Sequence, residues 1–148
     1  MTTHKLYLDN CCYNRPFDNQ SHIGIRLETE AKLYIQSGIR EKRYSLVWSY
    51  MLDFENDENP YEEKRNAISP WERIAEEYCP SSNSILLIGR KIIEQYGIKP
   101  KDALHIACAL DCSCDYFITT DKKLLNKTIP SIKIVNPIEF IRETEDLP

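Results

Sequence analysis

Residues 101–125 read KDALHIACALDCSCDYFITTDKKLL. Asp102 opens the run 103–110, in which His105 is the one polar residue. A helix that apolar all round is buried on most sides, and Pro100 just ahead suits its first turn. The next stretch, DYFITT, is aromatic and β-branched and predicts a buried strand, with Asp121 directly after it. A buried helix feeding a buried strand, with a carboxylate at the start of one and the end of the other, is one half of a parallel α/β unit.

Working outward, the same alternation recurs. Upstream, NSILLIGRKIIEQYG (83–97) places Ile85, Ile88, Ile92 and Tyr96 on one helical face, and Gly97 ends it. Downstream, SIKIVN (131–136) predicts another strand and PIEFIRE (137–143) a closing helical turn. At the start, KLYLDN (5–10) predicts a strand ending in Asp9 and Asn10. Beyond the turn-rich NRPFDNQS, the residues Ile23, Leu27, Ala31, Tyr34 and Ile35 recur at helical spacing, with Gly38 as a stop. RYSLVWS (43–49) predicts the second strand in chain order, and Ser49 caps a helix over YMLDFEND. Pro60 and Pro70, behind Asn59 and Ser69, suit first helical turns. Four strands separated by helices require right-handed crossovers, hence a three-layer α/β/α sandwich around a mostly parallel sheet. Residues 1–148 fit one such domain.

Composition narrows the function classes. The net charge is −4 and the pI about 5.4, which opposes broad adhesion to nucleic acid while leaving room for a local basic rim around an acidic pocket. The six cysteines lack paired C-x-x-C spacing and read as reduced, small hydrophobes. No apolar run reaches membrane-spanning length and the start lacks a signal-peptide pattern, so a cytoplasmic protein with no membrane partner is expected.

In open parallel sheets, ligands bind beyond the carboxyl ends of the strands. Asp9 ends the first strand, Glu55 lies on the helix after the second, Asp102 opens the helix into the third and Asp121 follows it. Each alone is explained by capping or the helix dipole, worth about 0.3–1 kcal/mol. Gathered together they repel unless protons or cations neutralise them. Oxygen-only donors favour Mg²⁺ or Mn²⁺, and such ions suit phosphodiester hydrolysis.

LYLDNCCYNRPFDNQ, SYMLDFEN and DALHIACALDCSCDYFITTDKKLL together resemble the PIN-domain family, and within it the toxin-type (VapC-like) ribonucleases. The resemblance spans nearly the whole chain and is most specific in the last block. It implies a ribonuclease whose Asp9, Glu55, Asp102 and Asp121 are both the metal ligands and the catalytic acids, with Mg²⁺ or Mn²⁺ as cofactor and RNA as substrate. It also implies an antitoxin partner covering the acid pocket, and a homodimer. Asp53 competes with Glu55 for the second position. The two point about 200° apart on a helix, so one alone can face the pocket. Many members carry Ser or Thr soon after the first Asp, where this chain has Asn10 and Cys11.

Around the acids, Asn10 and Thr120 are candidates to hydrogen-bond a carboxylate from the layer behind it. Arg15, Lys122 and Lys123 are candidates to hold substrate phosphate, Arg15 as a bidentate fork and the lysines as point charges. Tyr13 and Phe17 read either as base-stacking residues or as core anchors. His105 reads as a hydrogen-bonded helix histidine rather than a general base. Two other readings stay open. One is a non-catalytic RNA- or protein-binding module on the same fold. The other is an aspartyl-phosphate protein, for which LDNCC offers neither of the usual acid pairs.

Overall fold

The structure is a computed structural model that describes residues 3–145; the remaining five residues of the expected 1–148 unit lie outside that description. In chain order it runs β1 (His4–Leu8), α1 (Asn10–Asn14), a 3-10 turn (Arg15–Phe17), α2 (Ile23–Arg40), β2 (Tyr44–Ser49), α3 (Tyr50–Asp57), α4 (Glu62–Ile68) and α5 (Trp71–Ile74). It continues with β3 (Glu77–Cys79), α6 (Asn83–Tyr96), α7 (Pro100–Asp111), β4 (Tyr116–Ile118), α8 (Lys122–Leu125), β5 (Lys133–Val135) and α9 (Pro137–Thr144).

The five strands form one sheet in the order β3-β2-β1-β4-β5, every pairing parallel. β1 is central, with Leu6 opposite both Leu46 and Tyr116. It is flanked on both sides and covered on both faces, so Leu6, Tyr7 and Leu8 are all fully buried. α2 packs with α9, and α6 with α7, giving helical layers on the two faces. The chain runs outward from β1 to β3, then returns across the sheet to β4. The crevice at that reversal, between the ends of β1 and β4, is where an open α/β sheet places its site.

The α/β class and the parallel sheet follow the sequence; some details do not. A fifth strand, β3, was not expected. It is a three-residue edge strand with only Cys79 buried, too short and too polar to show alternation. Gly38 does not stop α2, which continues to Arg40 and ends before Lys42, at φ 65°. Gly38 is glycine because a Cβ there would sit 2.4 Å from the Tyr44 ring. Along α2, Ala31 and Ile35 are buried as expected, but Ile23, Leu27 and Tyr34 are exposed, and Thr29, Lys32 and Gln36 take places on the buried side. Pro60 precedes its helix rather than opening it, because Tyr61 is the cap of α4. Ser69 ends α4 as its C-cap rather than starting α5, and Pro70 itself is the residue before α5. The other boundaries hold: Ser49 accepts from the Leu52 amide, Gly97 ends α6 at φ 65°, and Pro100 opens α7. All six cysteines are free, and four of them are buried.

Candidate active site

Asp9 leaves the end of β1 and caps α1, so its backbone position is fixed by the central strand. Its side chain is 6% exposed. Oδ1 accepts from the Asn10 amide at 2.8 Å, and Oδ2 accepts from the Thr119 hydroxyl at 2.8 Å and the Cys11 thiol at 3.5 Å. Cys11 thus occupies the place where the resemblance expects Ser or Thr, and it acts as a weak donor to the same carboxylate. The hydroxyl holding Asp9 belongs to Thr119 rather than to Thr120. Thr119 Oγ1 also accepts from the Asp121 amide at 3.1 Å, tying the first acid to the last. Thr120 takes part through its backbone, donating its amide to Cys11 Sγ.

Glu55 projects from α3 toward α7, where its Oε1 is hydrogen-bonded to His105 Nε2. Asp53 turns the other way and accepts from Trp48 Nε1 at 2.8 Å and the Tyr78 hydroxyl at 2.6 Å. Of the two acids weighed on this helix, Glu55 faces the others and Asp53 braces β2 and β3.

His105 is fully buried. Its Nδ1 lies 2.6 Å from Tyr7 Oη, which lies 2.6 Å from Ser49 Oγ, which accepts from the Leu52 amide. Counting donors fixes the proton order. If Nδ1 carried the proton, Tyr7 would have to donate to Ser49, whose own buried proton would then have no acceptor. The order that strands nothing runs Ser49 to Tyr7 to His105 to Glu55, with Nε2 donating to the carboxylate. The N-cap of α3 thereby orients a carboxylate on the same helix through two residues from elsewhere in the fold.

Asp102 sits in the first turn of α7, and Asp121 caps α8, its Oδ1 accepting from the Lys123 amide at 2.9 Å. The two acids line one cavity of about 530 Å³ together with Lys99, Lys123 and Lys127. Glu55 and Asn10 line a second hollow of about 330 Å³, with Lys64 and Lys101 at it.

The electrostatics join the four acids. Burial, and then the charge of Glu55, push the Asp9 carboxyl up against the opposing pull of His105 and Thr119. Asp102 is raised by burial and then by Asp9, Asp121 and Glu55. Burial also works to raise Glu55, but the His105 hydrogen bond and the charge of Lys101 outweigh it and leave Glu55 below the usual carboxylate range. Among the described residues no three His, Cys, Asp or Glu side chains are already drawn into a coordination cluster. The donor set nevertheless fits a hard divalent cation: oxygen donors in one electrostatic neighbourhood, two of them held back from ionisation by burial and then by the others' charge.

The remaining expected contacts divide. Lys123 lines the 530 Å³ cavity and Lys122 does not. Arg15 is committed to ion pairs with Asp18 at 2.8 Å and Glu28 at 3.3 Å, so its guanidinium is already neutralised. Tyr13 is a core anchor, edge-on to Trp48, whereas Phe17 is 38% exposed. Asn10 Oδ1 is buried without a hydrogen-bond partner among the described residues. Lys99 and Lys127 were not singled out from sequence, because a lysine's place on a rim depends on how distant segments meet. Tyr7 carries a signal of its own in the sequence: a polar hydroxyl inside a buried strand needs a partner.

No family model matches the sequence, and no curated protein is significantly similar to it. Among solved structures, a chain in the crystal structure of VapBC2 from Rickettsia felis bound to a DNA fragment from its promoter superposes with a TM-score of 0.58. The alignment covers 89% of this chain and 98% of that one at 16% identity. The fold is PIN-like. At that identity the likeness speaks to architecture alone.

Proposed function

We propose that the protein is a metal-dependent endoribonuclease of the VapC-like toxin type, with Asp9, Glu55, Asp102 and Asp121 as its catalytic acids. The observation that carries this reading is that acids from four separate elements share one electrostatic neighbourhood: beyond the effect of burial, Asp102 is raised by the charges of Asp9, Asp121 and Glu55, and Asp9 by that of Glu55. Carboxylates so arranged are unfavourable without a counter-ion, and the four acids would hold Mg²⁺ or Mn²⁺. Such an ion, when bound, supplies the charge that polarises a phosphodiester and makes water more acidic.

The chain's own residues do the rest. Thr119 and the Asn10 amide hold both oxygens of Asp9 in place. His105 fixes Glu55 and keeps it ionised. Lys99, Lys123 and Lys127 present positive charge beside Asp102 and Asp121, where the backbone of an RNA strand would lie. This basic rim reconciles a chain of net charge −4 with a nucleic-acid substrate. Arg15 is assigned a structural role. The aspartyl-phosphate reading is disfavoured because both oxygens of the buried Asp9 are already engaged.

The same reading carries an antitoxin as partner, self-association into a homodimer and a cytoplasmic location. Among the described residues no helix is long and apolar enough to cross a membrane. The test is cleavage of a mixed RNA pool with Mg²⁺ or Mn²⁺, with and without chelator. The expected result is cleavage by the native chain that chelator abolishes and that Asp9→Asn lacks. Cleavage persisting in chelator or in Asp9→Asn overturns the site. A folded, metal-binding chain that retains RNA without cutting it returns the choice to a binding module.

A further inference from the structure

Away from the acids, a cavity of about 250 Å³ opens between α1, α2 and the α4–α5 corner. Its polar lining is Tyr13, Lys32, Gln36 and Arg40, its aromatic walls include Phe17 and Trp71, and the rest is apolar. No carboxylate lines it, in a chain with 23 acidic residues. Lys32, Gln36 and Arg40 are spaced by four on α2, so a single stripe of that helix presents two cations and an amide.

These groups are buried far more than their chemistry favours. Tyr13 is 1%, Lys32 4% and Gln36 6% exposed. Tyr13 Oη and Gln36 Nε2 have no hydrogen-bond partner among the described residues. Lys32 Nζ stands 5.9 Å from the centre of the Tyr13 ring, and the Arg40 guanidinium lies 4.8 Å over Trp71. Burial pushes the Lys32 ammonium down to about 8, and the positive charge of Arg40 works in the same direction. An unpaired buried donor costs about 1–3 kcal/mol, so two of them on residues lining one space mark a place where an acceptor from outside completes the set.

We propose that this cavity binds a carboxylate carried on an apolar or aromatic body. The carboxylate is taken by Lys32, the Gln36 amide and the Tyr13 hydroxyl, and the body lies against Trp71 and Phe17. A carboxylate offers two coplanar acceptor oxygens and one charge, which matches one buried ammonium flanked by two neutral donors. A phosphate dianion would bring a second charge that the deep end of the cavity does not balance. The site is separate from the acid cluster and does not depend on the nuclease reading.

The carboxylate can come from a free small molecule or from an acidic side chain of another protein, and two probe pairs separate these sources. Phenylacetate is compared with phenylacetamide, and a doubly blocked Leu-Glu-Phe tripeptide with its Gln counterpart. Binding to the full chain is followed by ¹⁵N–¹H NMR at the Gln36 side-chain amide and the Trp71 indole. The expected result is a saturable shift of both signals with at least one acid probe, its amide counterpart at least tenfold weaker. Lys32→Met and Gln36→Leu should each weaken binding at least tenfold while keeping a dispersed spectrum. Preference for phenylacetate assigns a free ligand, and preference for the Glu tripeptide assigns a protein-borne one. Equal binding of acid and amide, binding unchanged in both variants, or a cavity that takes up water alone overturns the proposal.

Discussion

Tyr7 Oη and His105 Nδ1 lie 2.6 Å apart in the core, joining the central strand to the helix that carries Asp102. Neither residue reaches solvent, and the pair ends on Glu55 through the other ring nitrogen. Tyr7→Phe removes one hydroxyl and strands both the Ser49 proton and the lone pair of Nδ1. The expected loss is about 1–3 kcal/mol in urea unfolding. Because the two residues share a network, a double-mutant cycle of Tyr7→Phe with His105→Leu should show coupling of about 0.5–3 kcal/mol. Additive losses would mean that the chain of hydrogen bonds is not a unit.

The two acids of α3 make opposite predictions. Glu55→Gln should abolish RNA cleavage and cost about 1 kcal/mol, since the amide still accepts from His105 Nε2 but without the charge that strengthens that bond. Asp53→Asn should leave cleavage within about twofold and cost about 1 kcal/mol, because it weakens charge-assisted bonds from Trp48 and Tyr78. Paired cleavage and unfolding assays on these variants separate the roles. The reverse pattern would make Asp53 the functional acid.

What the sequence disclosed, and what it hid, divides along physical lines. Periodicity exposed α6, α7 and the three inner strands, because buried strands and amphipathic helices leave marks in the residue order. The places of Asp9 and Asp121 after strands, Asp102 in a first helical turn and Glu55 on the helix after β2 were equally legible, as was the αL stop at Gly97. Contacts across the fold were not. Thr119 and Thr120 are indistinguishable in a row of two threonines, and only the strand's direction beyond Ile118 decides which hydroxyl meets Asp9. Arg15 looked free because its partners Asp18 and Glu28 are ordinary acids until the 3-10 turn and α2 bring them together. β3 is an edge strand with one buried residue, and pairing with β2 alone makes it a strand.

Gly38 shows the same limit from the other side. Read along the chain it is a helix stop, but in space it is a notch for the Tyr44 ring. Gly38→Ala is favourable for helix propensity by up to about 1 kcal/mol, yet its Cβ would overlap an aromatic ring held at the sheet. The expected net effect is a loss of about 1–3 kcal/mol, measured by thermal or urea unfolding. A stabilised Gly38→Ala would show that Tyr44 swings away freely.

Lys32 makes stability depend on alkaline pH. Its ammonium falls from the ordinary 10.5 to about 8 in the folded chain, chiefly through burial, with Cys12 opposing and Arg40 assisting. Between those two values the unfolded chain binds more protons than the folded one, so stability rises with pH across the window. At pH 7 the lysine is charged in both states and its burial is fully unfavourable. At 1.36 kcal/mol per pH unit the gap corresponds to about 3 kcal/mol. Lys32→Met should therefore be more stable than the native chain at pH 7 by an amount of that order, with the difference shrinking toward pH 10. Urea midpoints at pH 7, 8.5 and 10 check both sign and window. A residue that destabilises its own fold and is nonetheless present is what a binding site would require.

The basic rim yields the last prediction. Lys99, Lys123 and Lys127 surround the cavity that holds Asp102 and Asp121, whereas Lys122, next to Lys123 in the chain, does not line it. If the rim binds the RNA backbone, Lys99→Gln and Lys127→Gln should each raise KM several-fold with kcat nearly unchanged, since they remove binding felt equally in ground and transition states. Each should also lower the slope of log affinity against log salt by about 0.7, the value for one contact to a single strand. Lys122→Gln serves as the control, with neither parameter moving. Steady-state cleavage of a short RNA at three salt concentrations measures both quantities. Equal effects at Lys122 and Lys127 would replace a located rim with diffuse attraction, and the cavity would lose its claim to the substrate.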